Sequence, residues 1–153
     1  MNILVTGSNG LVGNALDRAL SISEHRHTNT ARSLEGISSH VLDITDYDSL
    51  EGVVKKIRPD VIINSAAMAD VDKCEEEREK CWSVNVDGVK NLVNVCERYG
   101  AHLVHISTDY IFDGKKEGGI YNEDDEPSPQ GFYAESKLAG EDVILSSGIS
   151  SSI

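Results

Sequence analysis

A glycine-rich turn stands between a short apolar run and an amphipathic segment, and it constrains the fold more than any other feature of this sequence. Residues 2–5 form a run of mostly β-favouring residues, and residues 6–13 (TGSNGLVG) follow directly. Apolar residues then recur at helical spacing over residues 11–20. A strand, a glycine turn and a helix in this order are typical of a nucleotide-binding unit, in which N–H groups at the helix N-terminus approach a diphosphate.

Three glycines give this turn the spacing G-x-x-G-x-x-G, at Gly7, Gly10 and Gly13. The first two permit a tight turn and let backbone N–H groups lie close to a diphosphate, and the third permits close packing of helix on strand. The spacing differs from G-x-G-x-x-G, so the pattern alone also fits a glycine-rich turn without a ligand. The strand before it and the helix after it are the context that nucleotide binding requires.

Short apolar runs alternate along the chain with longer amphipathic segments. We predict strands at residues 2–5, 25–32, 40–42, 61–63 and 103–106, and helices at residues 11–20, 46–58, 77–98 and 133–145. The second strand is the least typical, because HRHTNTAR is almost wholly polar. Residues 109–130 are polar and rich in glycine and proline, so we expect a long loop there. The alternation predicts an α/β fold, a Rossmann-type doubly wound parallel sheet with helices on both faces.

The residues after the second predicted strand indicate the type of cofactor. A NAD site of this kind has Asp or Glu about 20 residues beyond the glycine turn, to accept hydrogen bonds from the ribose 2′-OH. Here Arg32 occupies the comparable place, and a guanidinium pairs with a 2′-phosphate instead. We therefore predict NADP(H), leave NAD(H) open, and note that Arg32 also fits a solvated loop cation. Asp43 and Ile44 are predicted to border the adenine, because a carboxylate can accept from its exocyclic amine.

Tyr133 and Lys137 lie four residues apart on the last predicted helix and therefore on one face of it. A nearby ammonium is expected to stabilise the phenolate and to lower the tyrosine pKa, which suits Tyr133 as a proton donor to a carbonyl oxygen. The pattern Y-x-x-x-K alone also occurs by chance in surface helices. Ser107, Thr108 and Asp109 support the catalytic interpretation, because they follow a predicted strand at the carboxyl edge of the sheet, where ligands bind.

Charge and hydropathy argue against several classes of function. Fourteen Lys and Arg against 26 Asp and Glu give a net charge of −12, which disfavours nucleic acid as a partner. No window approaches ~18 consecutive apolar residues, so no membrane span is predicted. The three cysteines form no CxxC pair and the N-terminus lacks a signal-peptide pattern, so we expect a reducing, cytoplasmic setting. His25 and His27 lack carboxylates or thiols at metal-binding spacing, so no metal ligand is predicted.

Five segments make the chain resemble the extended short-chain dehydrogenase/reductases, and more narrowly the dTDP-4-dehydrorhamnose reductases. They are NILVTGSNGLVG, RPDVIINSAAMADVDKCE, VNVDGVKNLV, HLVHISTDYIFDG and EDDEPSPQGFYAESKLAGE. Together they span almost the whole chain, and STDYIFDG and YAESKLAGE are the most specific. The resemblance implies NADPH-dependent reduction of the C4 ketone of a nucleotide-linked 6-deoxyhexose, which is the last step to dTDP-L-rhamnose.

The same resemblance implies roles for individual residues. Tyr133 would deliver the proton while NADPH delivers hydride to C4, and Thr108 and Lys137 would complete the catalytic triad. Tyr133 and Lys137 would also contact the cofactor. The other implied cofactor contacts, at the diphosphate, the adenine and the ribose, are Gly7, Asn9, Gly10, Leu11, Val12, Asp43, Ile44, Ala66 and Ala67. Asn85 would support the site from a central helix.

Members of this family run to nearly twice the length of this chain, and their C-terminal portion builds the substrate pocket. We therefore expect residues 1–153 to form the NADP(H)-binding Rossmann domain, with the substrate domain absent from the chain. A sheet without its later strands would expose an edge, which favours association as a homodimer. Such a chain is expected to bind NADP(H) and to turn over little or no sugar.

Two other functions stay open at this point. An epimerase or dehydratase of the same superfamily would also act on a nucleotide sugar, but it would keep an oxidised cofactor bound and use it internally. A non-catalytic NADP-binding protein, similar to the regulatory beta subunit of methionine adenosyltransferase, would act as a partner of another enzyme. The sequence leaves open the exact sugar, the nucleotide and any part played by a divalent metal.

Overall fold

The computed structural model describes all residues from 1 to 153. Six strands are present: β1 (Asn2–Thr6), β2 (Arg26–Ala31), β3 (His40–Val41), β4 (Val61–Asn64), β5 (His102–His105) and β6 (Ser151–Ser152). The helices are α1 (Leu11–Ser21), α2 (Tyr47–Ile57), α3 (Val71–Glu76), α4 (Arg78–Trp82), α5 (Gly88–Tyr99) and α6 (Phe132–Ser147). A π-helical segment covers Ser83–Asp87, and a 3-10 turn covers Asp109–Ile111.

All six strands belong to one parallel sheet with the order β3-β2-β1-β4-β5-β6. The chain moves from β1 outwards to β3 and then returns to place β4 on the other side of β1. The prediction of a doubly wound Rossmann-type sheet is therefore confirmed. The strand order reverses between β1 and β4, and ligands of such sheets bind in the crevice outside the carboxyl ends of the strands at this point.

The polar β2 forms a strand, as predicted, because α1 offers its side chains polar partners. One carboxylate oxygen of Asp17, on α1, accepts a hydrogen bond from Asn29 Nδ2 across 2.6 Å and lies 3.0 Å from His27 Nε2. On the same strand, the buried Thr30 hydroxyl donates to the carbonyl of Val5 across 2.9 Å. Hydrogen bonds thus hold the polar side chains of β2, although the buried Oδ1 of Asn29 has no partner.

Local capping explains where α2 and α5 begin and end. Asp46 is the N-cap of α2, and its side chain accepts from the N–H of Ser49 across 3.1 Å. Arg58 ends the same helix in a left-handed conformation, with φ of 51°, immediately before Pro59. Gly100 ends α5 with φ of 74°, a conformation that glycine adopts without strain. These ends agree with the sequence prediction.

The prediction of one continuous helix over residues 77–98 is wrong. Helical structure begins earlier, at Val71, and it breaks at Glu77, whose φ of −114° and ψ of 54° are not helical. A π-helical segment then precedes α5. Apolar spacing continues through both irregularities, so periodicity gives no signal of them. Close contact with α6 accompanies the wider turn: a Cβ at Gly140 would lie 2.7 Å from the Asn85 carbonyl oxygen.

The main hydrophobic core lies between the central strands and helices α2, α5 and α6. Its fully buried members include Leu4, Leu50, Val54, Ile62, Val89, Leu92, Val95, Leu103 and Ile144. This packing fixes the strand ends, and so the positions of the loops that follow them. None of the helices combines the length and the apolar character that crossing a lipid bilayer requires.

Candidate cofactor-binding and catalytic site

A cleft of about 330 Å³ opens at the carboxyl ends of β1 and β4, where the strand order reverses. Its 13 lining residues are Gly7, Asn9, Gly10, Ala31, Arg32, Ser33, Leu42, Asp43, Ile44, Ser65, Ala66, Ala67 and Val84. The structure therefore brings together predicted residues that follow four different strands. Sequence reasoning missed five lining residues. Four adjoin predicted positions, whereas Val84 comes from the π-helical segment and has no sequence signal.

Two glycines make the close contacts that shape this cleft. Gly7 has φ of 68°, and a Cβ there would lie 2.6 Å from the backbone of Ala66. A Cβ at Gly13 would lie 2.4 Å from the Cα of Ser8, so α1 can approach β1 only with glycine at this position. Gly10 differs, because a Cβ there would meet only the Gly7 carbonyl oxygen, at 3.3 Å. The turn is thus held closed by Gly7 and Gly13, while Gly10 faces the cleft.

The first turn of α1 fits a diphosphate. Its N-cap, Gly10, provides no side-chain acceptor, and the first turn contains no acidic residue. N–H groups in a first helical turn have no partner within the helix, and they carry partial positive charge. Leu11 and Val12 belong to this turn, with side chains 89% and 42% exposed that do not line the cleft. Any contact they make with a diphosphate would therefore come from their backbone N–H groups.

Asn9 and Arg32 lie at the same end of the cleft but engage different groups. The Asn9 side chain accepts from the N–H of Ser38 across 3.2 Å and donates to the carbonyl of Ser33 across 3.3 Å. Asn9 therefore holds the segment after β2 against the glycine turn. Arg32 is exposed and makes no ion pair, so its guanidinium is available to an anion in the cleft.

Asp43 and Ile44 border the cleft after β3, the strand next to β2. One oxygen of Asp43 accepts from both the N–H and the hydroxyl of Thr45, at 2.9 and 2.8 Å. These bonds fix the carboxylate and leave its other oxygen without a protein partner. Ile44 is buried and packs against Gly88, where a Cβ would lie 2.7 Å from the isoleucine side chain. The two residues thus provide one polar acceptor and one apolar wall.

Tyr133 and Thr108, from α6 and from the segment after β5, come together beside the sheet edge. The Tyr133 ring packs edge-on against Tyr110 with centroids 6.1 Å apart. Burial raises the pKa of the Tyr133 phenol above its usual range, and its hydrogen bond with the Thr108 hydroxyl acts in the opposite direction. The expectation that Lys137 lowers this pKa is wrong for this arrangement, because the Lys137 ammonium is directed elsewhere.

Lys137 is almost completely buried, and its Nζ donates to the carbonyl of Ile106 across 2.7 Å. The same Nζ lies 3.3 Å from His105 Nε2. Burial lowers the pKa of Lys137 from its ordinary 10.5 to about 8, against the opposing effects of Glu141 and Cys81. His105 is buried and hydrogen-bonded, as predicted for a core histidine, but its contact with Lys137 was not foreseen.

Asn85 connects the π-helical segment to the catalytic helix. Its side chain accepts from the N–H of Met68 across 2.9 Å and donates to the Met68 carbonyl across 3.0 Å. It also lies 2.9 Å from the Ser136 hydroxyl, which donates to the carbonyl of Tyr133 across 2.7 Å. Asn85 thus fixes both the loop after β4 and the turn of α6 that carries Tyr133.

A second, larger cavity of about 680 Å³ adjoins Thr108 and Glu141. The long loop over residues 112–130 and the C-terminal half of α6 form its walls. Stacking of Phe112 on Tyr121, with centroids 4.5 Å apart, and the ion pair of Lys116 with Asp125 order this loop. The cavity is therefore a structured space next to the Thr108–Tyr133 pair.

Comparison with known proteins identifies the family of this chain. A family model described as RmlD substrate binding domain matches residues 1–153. A dTDP-4-dehydrorhamnose reductase of Mycobacterium tuberculosis is 38% identical over 146 residues, which cover 94% of this chain and 45% of that protein. The chain spans about half the length of the curated relatives that it matches.

Two solved structures have the same fold at substantial identity. The crystal structure of a hypothetical dTDP-4-dehydrorhamnose reductase from Sulfolobus tokodaii is 45% identical, with a TM-score of 0.86, and the match covers 94% of this chain and 51% of that one. The dTDP-4-dehydrorhamnose reductase of Bacillus anthracis, solved in complex with NADP, is 34% identical with a TM-score of 0.88. That match covers 98% of this chain and 50% of the other.

Proposed function

We propose, on the premise that this chain belongs to the RmlD substrate binding domain family, that it is the NADP(H)-binding part of a reductase of a nucleotide-linked ketosugar. The finer proposal names the C4 ketone of dTDP-4-dehydrorhamnose as the group reduced. The main support for this proposal is a chain of hydrogen-bond contacts. It runs from Ala66, which lines the cleft, through the side chains of Asn64 and His105 to Lys137. A dinucleotide site and a proton-donor site would thus share one edge of the sheet.

The residues of the cleft would hold the cofactor along its length. The first turn of α1 would take the diphosphate, and Arg32 would take the 2′-phosphate. Asp43 and Ile44 would contact the adenine, and Ala66 and Ala67 a ribose. Arg32 supports NADP(H) over NAD(H), because an arginine stands where the NAD pattern places Asp or Glu and its guanidinium can pair with a 2′-phosphate. The NADP complex of the Bacillus anthracis protein agrees with this choice.

Tyr133 and Thr108 would perform the proton chemistry, and Lys137 would support them from the same helix. Tyr133 would donate its phenolic proton to the ketone oxygen, and the Thr108 hydroxyl would hydrogen-bond the same oxygen. NADPH, when bound, supplies the hydride to the ketone carbon. Solvent would then return a proton to the half-buried phenol, and Lys137 would hold the nicotinamide ribose.

A direct test compares the chain alone with the same chain joined to the C-terminal half of the Mycobacterium tuberculosis reductase. NADPH oxidation is followed spectroscopically after addition of dTDP-4-dehydrorhamnose. We expect little or no oxidation with the 153-residue chain, and turnover with the joined protein that Tyr133→Phe removes. NADPH binding to each protein serves as the control for folding. A joined protein that binds NADPH but leaves the sugar unreduced would contradict the proposed substrate.

The same experiment separates the reductase from an epimerase or dehydratase. Those enzymes retain an oxidised cofactor, so NAD+ bound tightly to the purified chain, without NADPH oxidation, would favour them. The likeness to the NAD complex of UDP-glucose 4-epimerase from Thermus thermophilus, at 28% identity and a TM-score of 0.89, makes this the relevant comparison.

A further inference from the structure

Four buried polar side chains form one line across the carboxyl ends of the central strands. Thr6 ends β1, Asn64 ends β4, His105 ends β5, and Lys137 reaches them from α6. The Thr6 hydroxyl donates to Asn64 Oδ1 across 2.6 Å, Asn64 Nδ2 lies 3.0 Å from His105 Nδ1, and His105 Nε2 lies 3.3 Å from Lys137 Nζ. All four residues are at most 2% exposed, so water does not compete for these bonds.

The backbone of Ala66 fixes the direction of hydrogen bonding along this line. Its N–H can only donate, and it donates to Asn64 Oδ1 across 3.2 Å. The oxygen of the Asn64 amide therefore faces Ala66 and Thr6, and the NH₂ group faces His105. Because that NH₂ can only donate, His105 Nδ1 must be an acceptor.

The state of one imidazole nitrogen determines the state of the other. A neutral imidazole carries a single proton, so an accepting Nδ1 places it on Nε2. Burial, and after it the charge of Lys137, lowers the pKa of His105 from 6.5 to about 3, so the ring is neutral in ordinary solution. His105 thus presents an N–H donor to Lys137 Nζ. An ammonium has no lone pair with which to accept this bond, whereas an amine does.

We propose that Asn64 and His105 are positioning residues that favour the neutral amine of Lys137 over its ammonium, by offering its Nζ a donor where an ammonium would require an acceptor. The amine donates to the Ile106 carbonyl and accepts from His105 Nε2–H. The other titratable groups acting on Lys137 are Glu141, one turn further along α6, and Cys81 of α4, and both favour the ammonium. Glu141 accepts a hydrogen bond from the Ser107 hydroxyl. This bond stabilises the carboxylate and so weakens its effect on Lys137.

The consequence for catalysis rests on the proposed function. A permanently charged Lys137 could hold the nicotinamide ribose but could not take up a proton. With a pKa near 8, Lys137 can instead gain or lose a proton at its buried Nζ, so its hold on the ribose depends on pH. The line from Thr6 to Lys137 also ties the floor of the cleft at Ala66 to this proton exchange.

Nitrogen-15 NMR of the labelled chain, without added cofactor, tests the proposal. We expect His105 in the Nε2–H tautomer throughout the neutral range, and Lys137 Nζ titrating near pH 8. Asn64→Asp should reverse the hydrogen bonds, because a carboxylate accepts at both oxygens and would draw the proton to Nδ1. The Nε2 atom would then accept, and the Lys137 pKa should rise toward 10.5.

Asn94→Asp is the matched control, because it adds the same charge on the exposed face of α5 and should leave Lys137 unchanged. An Nδ1–H tautomer of His105 in the unmodified chain would overturn the proposal, as would an ordinary lysine titration of Lys137. The tautomer is measured without any substitution, so a poorly folded Asn64→Asp chain does not remove the test. Failure to bind NADP(H) would count against the proposed function and would leave this result unaffected.

Discussion

The carboxylate of Glu75 accepts a hydrogen bond from the backbone N–H of Phe132 across 2.6 Å, so an acidic side chain of α3 caps the helix that carries Tyr133 and Lys137. The N-cap residue of that helix, Gly131, has no side chain to do so. Arg78 pairs with Glu75 at 2.6 Å and lies over the Phe132 ring at 5.0 Å. Glu75 and Arg78, which lie on either side of the break between α3 and α4, thus both contact the start of α6.

Replacing Glu75 should therefore weaken the start of α6. Glu75→Ala leaves the Phe132 N–H without its acceptor, whereas Glu75→Gln keeps an amide oxygen in place. We expect the melting temperature to fall by a few degrees in the alanine variant and by less in the glutamine variant. Thermal unfolding followed by circular dichroism measures both. Equal melting temperatures for Glu75→Ala and the unmodified chain would show that the contact does not stabilise α6.

Three glycine-to-alanine variants separate the structural glycines from the one that faces the cleft. Gly7→Ala should lower the free energy of unfolding by at least about 2 kcal/mol, because the Cβ meets backbone and φ is positive. Gly10→Ala should keep most of its stability but reduce NADPH affinity by about tenfold or more. Gly52→Ala, in the exposed middle of α2 with open space around it, should raise stability by up to about 1 kcal/mol.

These variants are compared by urea unfolding and by NADPH titration under the same conditions. Gly52→Ala should leave NADPH affinity unchanged, which makes it the control for a substitution of the same type. Unchanged NADPH affinity in a folded Gly10→Ala chain would argue against a diphosphate at this turn.

His105 should make the fold sensitive to acid. Its pKa is about 3 in the folded chain against 6.5 for an ordinary histidine, because burial disfavours the imidazolium. Between these values the unfolded chain binds a proton that the folded chain does not, so the free energy of unfolding falls as the pH falls. From pH 6.5 to roughly pH 4.5, this amounts to about 2 kcal/mol.

The comparison with His105→Gln isolates this contribution from that of the carboxylates. Glutamine does not titrate, so the stability advantage of the unmodified chain over the variant should shrink as the pH is lowered through this window. Urea unfolding of both chains across the window measures it. A constant difference between the two chains would show that the folded His105 takes up a proton as an ordinary histidine does.

Arg32 should select the phosphorylated cofactor. Its guanidinium lines the cleft without an ion-pair partner, so a 2′-phosphate would gain a charge-assisted contact there. Arg32→Ala should weaken NADPH binding by about tenfold or more and change NADH binding little. Arg58→Ala, which removes an exposed guanidinium at the far end of α2, is the control. Equal affinities of the unmodified chain for NADPH and NADH would overturn the choice of NADP(H).

The sheet could be predicted because strand and helix periodicities agree with the turn residues between them. The polar β2 is predicted only from its place in the alternation of strands and helices. The contacts of Asp17 with His27 and Asn29 explain why so polar a segment forms a strand. The break at Glu77 could not be predicted, because apolar spacing continues through it and the nearby contact of Glu75 with α6 joins residues distant in sequence. The direction of Lys137 could not be predicted either: a spacing of four residues places it on the face of Tyr133, but burial and the Ile106 carbonyl turn its Nζ toward the sheet.

Amide chemical-shift mapping during an NADPH titration tests the central claim most directly, that a dinucleotide lies across the cleft between the glycine turn and α6. We predict saturable shifts at Gly7, Gly10, Arg32 and Ala66, together with Tyr133, and none at Ser150 on the far side of the sheet. Shifts confined to the cavity beside Glu141 and Asp142, or no binding at all, would contradict the account.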